Sequence, residues 1–411
     1  MWYGFAMFGR ATPKPNEVFT PTQLPLREHN AYVHRAEAEE KIGRFLARGQ
    51  VPLIYGEYGV GKTTVVRKSL RDGGYEDGRV YIASVAGMTI ADVLRVALEH
   101  IGATVRTAEV RTTSATGKAG ASFFVDLGGE ASRSKQTTEE FVVQSPTDNR
   151  VLELLAEYEL TIAIDELHRA SDDFREGLVD LIKATHGQEQ RWPQLVVIGT
   201  SAEATTLVRI DPGIDRFVKE YRLPTMTPDE ARRLIEAGFQ TLRLTIPEPL
   251  ISTAIRTAAG APSLLQSICL DMAEATVAAG ASSVSEEAYR KAVLTYLNEN
   301  TSRLNEAYTK AIEHTGPKRY RKQILVAMSQ LEADYPELEQ IREKIEKNLG
   351  EGVEQSALSG PLRALKTGSD SVLVDITRRE GARVHNVSTF RDPMMKSFVR
   401  FYTELEKQGL V

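Results

Sequence analysis

Between the apolar run Val51 to Tyr55 and the segment Thr64-Val65-Val66-Arg67-Lys68 stand eight residues, Gly56-Glu57-Tyr58-Gly59-Val60-Gly61-Lys62-Thr63. The spacing G-x-x-x-x-G-K-T in that setting predicts a strand, a glycine-rich loop and a helix, and commits this part of the chain to an α/β arrangement. Glycines let backbone N–H groups turn inward as an anion nest, and the positive end of the helix dipole adds to it. Gly56, Gly59, Val60, Gly61, Lys62, Thr63 and Thr64 are therefore the candidate phosphate cradle. Lys62 is placed to reach β- and γ-phosphates, and the Thr63 hydroxyl to ligate Mg²⁺.

At 411 residues the chain has room for two or three domains of ~100–200 residues each. Its net charge of −5 gives no global basic field of the kind that advertises nucleic acid. A local basic face remains open. Cys269 is the one cysteine, which excludes a disulfide framework and a cysteine-based metal site. It reads as a core residue and fits a reducing cytoplasm. No run of ~20 apolar residues is present, so no membrane span is expected. The aromatic start, Met1 to Phe8, is short and lacks a basic lead, so it does not read as a secretory signal. Those aromatics pack on their own domain or dock on a neighbouring subunit.

Prolines at 13, 15, 21 and 25 predict an extended arm over residues 1–31. After the loop helix, Arg79 to Ser84 reads as a strand and Thr89 to His100 as an amphipathic helix. Residues 104–145 are too long for a routine loop and read as a projecting β-hairpin or a partly mobile insertion. Pro146 to Tyr158 reads as a helix. Leu160-Thr161-Ile162-Ala163-Ile164-Asp165-Glu166 then reads as a buried parallel strand with two carboxylates at its carboxyl end, the edge at which ligands bind in open α/β sheets. Asp165 is the expected Mg²⁺ ligand. Glu166 is the expected residue to orient and polarise an attacking water; the plainer reading has the pair cap the next helix. Asp172 to Ala184 is a further helix, and Leu195 to Ser201 a second buried strand ending in hydroxyls. Thr227-Pro228-Asp229-Glu230 is a capping box that opens a helical region through about residue 300. Beyond Lys318 three helices precede two strands, the order of a winged helix-turn-helix.

These motifs resemble those of AAA+/STAND-type P-loop ATPases, in the origin-recognition-like, archaeal-type branch, over residues ~30–405. The resemblance implies a parallel-sheet ATPase core over residues 32–225 carrying the 104–145 insertion, a helical lid over 226–300, and a winged helix with a C-terminal helix over 301–411. It implies ATP as ligand and Mg²⁺ as cofactor. Tyr32, Val33 and Arg35 resemble the base-side entry motif of this group, although Tyr32 and Val33 also suit a simple helix staple. Thr200 or Ser201 stands where AAA+ proteins place a polar sensor. Arg216, in Asp215-Arg216-Phe217, resembles the arginine finger that completes a neighbouring subunit's site, with Arg209 as substitute; a surface salt bridge is the alternative. Gly260-Ala261-Pro262 resembles the lid motif whose proline packs by the adenine. Ser263 stands where many relatives carry a sensor arginine, and Arg256 lies one turn earlier.

The function so implied is a switch that oligomerises with nucleotide. Its load is double-stranded DNA, met by Arg363, Lys366, Arg378, Arg379 and Arg383, in an initiator, a transposition regulator or an antiphage defence ATPase. The alternative is a signalling scaffold that recruits a separate effector protein without binding DNA. A small-molecule kinase is the third reading, and the Asp-Glu pair, sensor strand and lid argue against it.

Overall fold

The computed structural model describes residues 12–25, 27–74, 79–108, 122–126, 140–143, 149–186, 193–200, 206–207, 210–313, 320–333, 335–368, 371–380 and 383–411. The chain forms two compact units. One comprises His34–Gly56 and Lys62–Leu223 and is built on a sheet. The other comprises Glu57–Gly61, Pro224–Val411 and the described part of Met1–Val33, and is mostly helical.

The helical unit begins with α1 (Pro15–Val18). The sheet unit carries α2 (Ala36–Ala47), β1 (Val51–Tyr55), α3 (Lys62–Asp72), β2 (Arg79–Ala83), α4 (Ile90–His100), β3 (Thr104–Ala108), β4 (Ser122–Asp126), β5 (Glu140–Val143), α5 (Asn149–Glu157), β6 (Thr161–Asp165), α6 (Asp172–His186), β7 (Gln194–Ile198) and β8 (Val218–Arg222). Its main sheet runs β2-β6-β7-β1-β8, with every pairing parallel. The central strands β6 and β7 are buried at every position, as near-continuous apolar runs between helical layers must be. The edge strands β2 and β8 expose part of their length. Val93, Leu94 and Leu98 of α4, Phe174 and Leu178 of α6 and the apolar strand residues make one core. The 104–145 region holds a three-stranded antiparallel sheet in the order β3-β4-β5, one strand more than a hairpin.

The helical unit continues with α7 (Pro228–Thr241), α8 (Glu248–Ala258), α9 (Pro262–Ala278), α10 (Glu286–Thr295), a π-helical turn Tyr296–Asn300, α11 (Ser302–Ile312), α12 (Tyr320–Gln330), α13 (Leu338–Leu349), α14 (Gln355–Lys366), β9 (Leu373–Glu380), β10 (Arg383–Phe390) and α15 (Pro393–Lys407). α7 starts as its sequence dictates. Thr227 Oγ1 accepts from the Glu230 backbone N–H at 3.2 Å, and the Glu230 carboxylate accepts from the Thr227 N–H at 2.8 Å. The helices α12 to α14 followed by the antiparallel β9–β10 hairpin have the expected element order. A single core runs from Val18 through α7 to α15.

The stretch 12–31 differs from the expected extended arm. Pro15 takes the first position of α1, where its missing N–H is not needed. Val18 and Phe19 that follow are fully buried in the helical core. The Phe19 ring lies 5.2 Å from the Phe239 ring, and a Cβ on Gly238 would come within 2.3 Å of it. Gln266 of α9 pins the segment at its middle and its end: its Oε1 accepts from Thr20 N–H at 3.0 Å and its Nε2 donates to Ala31 O at 2.6 Å. Phe19→Ala should therefore cost about 3–5 kcal/mol of stability by emptying a filled site. Chemical denaturation checks this; a loss below about 1 kcal/mol would show that the segment docks loosely.

Candidate functional site: the phosphate loop and its surroundings

Parallel pairing puts the carboxyl ends of β1, β6 and β7 on one edge of the sheet. Gly56 leaves β1 there with φ +152°, and a Cβ on it would stand 2.6 Å from the Leu223 carbonyl oxygen, so only glycine fits. The Leu223 N–H donates to Tyr55 O at 2.8 Å and fixes this approach. Lys62 opens α3, and its Nζ donates to Gly56 O at 3.0 Å. Thr63 Oγ1 donates to Asp165 Oδ2 at 2.6 Å. The other Asp165 oxygen accepts from the Glu166 N–H at 2.7 Å. A hydroxyl and a buried carboxylate side by side are the hard oxygen donors that suit Mg²⁺, so the residues present fit that ion.

Glu166 has φ +57°, ψ +35°, a left-handed conformation that is strained for a residue with a side chain. It starts the 3₁₀ turn Leu167–Arg169 and so separates its own environment from that of the buried Asp165. Its carboxylate, about a third exposed, lies 3.3 Å from His168 Nε2. The sequence reading passed over His168; its place two residues after the acidic pair was the available signal.

Thr200 follows β7 by two residues and is partly buried, while Ser201 and Arg209 lie outside the described residues. Arg216 ends the 3₁₀ turn Pro212–Arg216, whose start is capped by Asp211 Oδ1 accepting from Gly213 N–H at 2.7 Å. Arg216 is exposed, and its guanidinium stacks 4.5 Å from the Phe217 ring centroid. Arg35 is buried at the start of α2, and its N–H donates to Glu39 at 3.0 Å. The sheet unit thus joins Thr63 to Asp165 by a direct bond, with Lys62 and Glu166 as their neighbours in the chain.

The tip of the loop, Glu57–Gly61, belongs to the helical unit. Gly59 and Gly61 have φ +79° and +90°, which glycine adopts without strain. Ser263 Oγ donates to Gly59 O at 3.5 Å, and Pro262 Cγ lies 3.9 Å from where a Cβ on Gly61 would be. The residue in the place of the expected arginine therefore touches the loop backbone. Arg256 is engaged elsewhere, with Glu404 of α15 at 3.2 Å. Val60 is buried, Val33 is buried in the same core as α9, and Tyr32 is half-buried.

One cluster was missed altogether. Glu57, in the loop, holds Lys396 Nζ at 2.9 Å and Arg400 on its other oxygen. The Glu57 and Lys396 side chains are 7% and 8% exposed, so this is a buried ion cluster and not surface decoration. Burial pushes the Glu57 carboxyl up, but the Arg400 and Lys396 charges outweigh it and hold it below the usual carboxylate range. The signal in the sequence was two cations four apart on a helix whose neighbours Met395, Phe398, Val399 and Phe401 are core residues.

Of the basic residues assigned to DNA, Arg363 is exposed on α14. Lys366 is paired with Asp375 at 2.6 Å. Arg378 and Arg379 lie on β9 opposite His385 and Val384, and Arg383 lies on β10 opposite Glu380, all near the hairpin turn.

Residues 47–208 match the family model described as AAA domain. No curated protein matches the chain. Among solved structures, the Aeropyrum pernix ORC2 protein, solved as ADPNP–ADP complexes, is similar at 16% identity, covering 96% of this chain and 99% of its own, with a TM-score of 0.50. The Walker-type ATPase PABY2304 of Pyrococcus abyssi is 16% identical over 91% of this chain and 97% of its own, with a TM-score of 0.48. Cdc6p of Pyrobaculum aerophilum is 15% identical over 96% and 99%, with a TM-score of 0.46. With its loop, its acidic strand end and the order of its parallel sheet, the segment 47–208 fits the AAA-domain model that it matches, and the chain has the parallel-sheet P-loop fold also seen in the Aeropyrum ORC2 protein.

Proposed function

We propose that this chain binds ATP with Mg²⁺ at Gly56–Thr63, hydrolyses it, and uses the cycle to switch assembly on DNA. The observation that carries the reading is the 2.6 Å bond between Thr63 and Asp165, which sets the two oxygen donors of a Mg²⁺ site beside Lys62. The nucleotide complexes of the Aeropyrum ORC2 protein support the choice of ligand. In this reading the loop N–H groups and Lys62 would hold the phosphates, and Thr63 and Asp165 would hold Mg²⁺, which would supply charge neutralisation when bound. Glu166 takes the water proton or orients the water, and Thr200 hydrogen-bonds the water or the γ-phosphate. Tyr32, Val33, Arg35 and Pro262 are the proposed base-side residues, on the resemblance of their motifs alone.

Arg216 acts in a neighbouring copy. It is exposed, and its planar, permanently charged group suits phosphoryl charge. Nucleotide then joins subunits, and hydrolysis releases them. Glu166→Gln should keep nucleotide binding and lower turnover by about a hundredfold or more. Arg216→Ala should lower turnover as well, and mixing it with Glu166→Gln should restore part of it, because mixed interfaces pair an intact Glu166 with an intact Arg216. Steady-state ATPase of the mixtures decides; Arg216→Ala with wild-type turnover removes the finger.

The hairpin is the proposed DNA contact. Arg378, Arg379 and Arg383 gather at its turn in a chain of net charge −5, which makes that end a local basic feature. Lys366 contributes least, since Asp375 already holds it. Duplex binding should fall steeply with salt, and Arg378→Ala and Arg379→Ala should each lower the salt slope by about one, uniformly across sequences. Fluorescence anisotropy at several salt concentrations checks this. A chain that shifts no duplex at low salt points instead to a protein effector as the load.

A further inference from the structure

We propose that Lys396 and Arg400, on the helix after the hairpin, are positioning residues of the nucleotide site that make the phosphate loop fit for a polyanion. This rests on the reading of Gly56–Thr63 as the ATP cradle. A phosphate loop gains from positive charge, yet position two of this one is a carboxylate, Glu57. A buried negative charge in the cradle opposes a triphosphate. At an effective dielectric of ~20, one such charge ~10 Å away changes affinity for a unit anion by roughly tenfold.

Two cations lie on that one carboxylate, Lys396 at 2.9 Å and Arg400 on the other oxygen. They sit four residues apart on α15 and share a face. The Lys396 ammonium also reaches the carbonyls of Ala333 at 3.3 Å and Glu332 at 3.5 Å, which fixes its place. Two cations thus face one carboxylate at the loop tip. The same face of α15 continues with Glu404, bonded to Arg256, and with Gln408, bonded to Thr257 and to Tyr289 at 2.9 Å each. Those contacts tie α15 to α8 and α10, so the cations are presented from a helix held along its length. The lid position that offers Ser263 in place of an arginine supplies no charge of its own. α15 supplies it from a different part of the chain.

The test uses the full chain and a titration with a fluorescent, non-hydrolysable ATP analogue. Thermal melts of each variant run alongside. Glu57→Gln keeps an acceptor for Lys396 and removes the negative charge, so binding should tighten by roughly tenfold. Lys396→Met and Arg400→Met should each weaken binding by about the same factor, and each effect should shrink in the Glu57→Gln background. A merely structural role of the cluster predicts weaker binding from all three single changes. Since Lys396→Met and Arg400→Met also leave Glu57 buried without full compensation, the sign of the Glu57→Gln change is the deciding reading. If wild type binds, Lys62→Ala does not, and Glu57→Gln binds no more tightly than wild type, this inference is overturned and the ATP reading stands. A wild-type chain that binds no nucleotide overturns both.

Discussion

The hydroxyl of Thr63 bonded to the carboxylate of Asp165 joins residues 102 apart in sequence. It exists only because β7 separates β1 from β6 by a single place in the sheet. Two strand spacings are ~10 Å, a gap that a side chain from the first turn of α3 and one from the end of β6 can close together. A strand order that moved β6 away from β1 would leave Asp165 buried without this partner, at a cost of a few kcal/mol. Parallel pairing then delivers the Glu166 carboxylate and Thr200 to the same edge without further invention. Strand order is thus the condition for the chemistry, and the apolar character of β6 and β7 is the condition for the strand order.

Much of this was legible because it is local. The loop motif, the apolar runs, the capping box at Thr227 and the helix–helix–helix–hairpin order each lie within a few residues of one another, where periodicity and cap chemistry speak directly. What escaped was conformation or distance. Pro15 reads as a helix breaker until its place at the first helical position is known, so the burial of Phe19 against Gly238 was hidden. The left-handed turn at Glu166 has no sequence mark, since glycine is absent there. The Glu57–Arg400 pair spans 343 residues, and no pattern in either segment names the other. The third strand of the 104–145 region was missed as well, since segments of four or five residues are too short for their periodicity to stand out.

Several of the described ion pairs do little. Arg342 with Glu339 and Glu346, Lys41 with Glu37 and Lys310 with Glu306 are helix-surface pairs three or four residues apart. Such pairs contribute about 0.3–0.5 kcal/mol each and are screened by salt. The bidentate Arg232–Glu248 pair joins α7 to α8 and is better formed, yet it too is exposed. The net charge of −5 is therefore a poor guide to where electrostatics acts in this molecule.

Burial changes that assessment at Glu57, Lys396 and Arg400. Ions withdrawn from water in this way are no more stabilising than a well-packed apolar plug of the same volume, and often less so. Stability alone gives no reason to keep three charged side chains where Leu or Met would pack. What an apolar plug lacks is a field. Charges held in a buried cluster act on a nearby anion with little screening, whereas the same charges on the surface would be muted within a Debye length of ~8–10 Å. On the proposal that the loop holds a polyanion, that field is the use that the ions beside Glu57 have and an apolar plug would not.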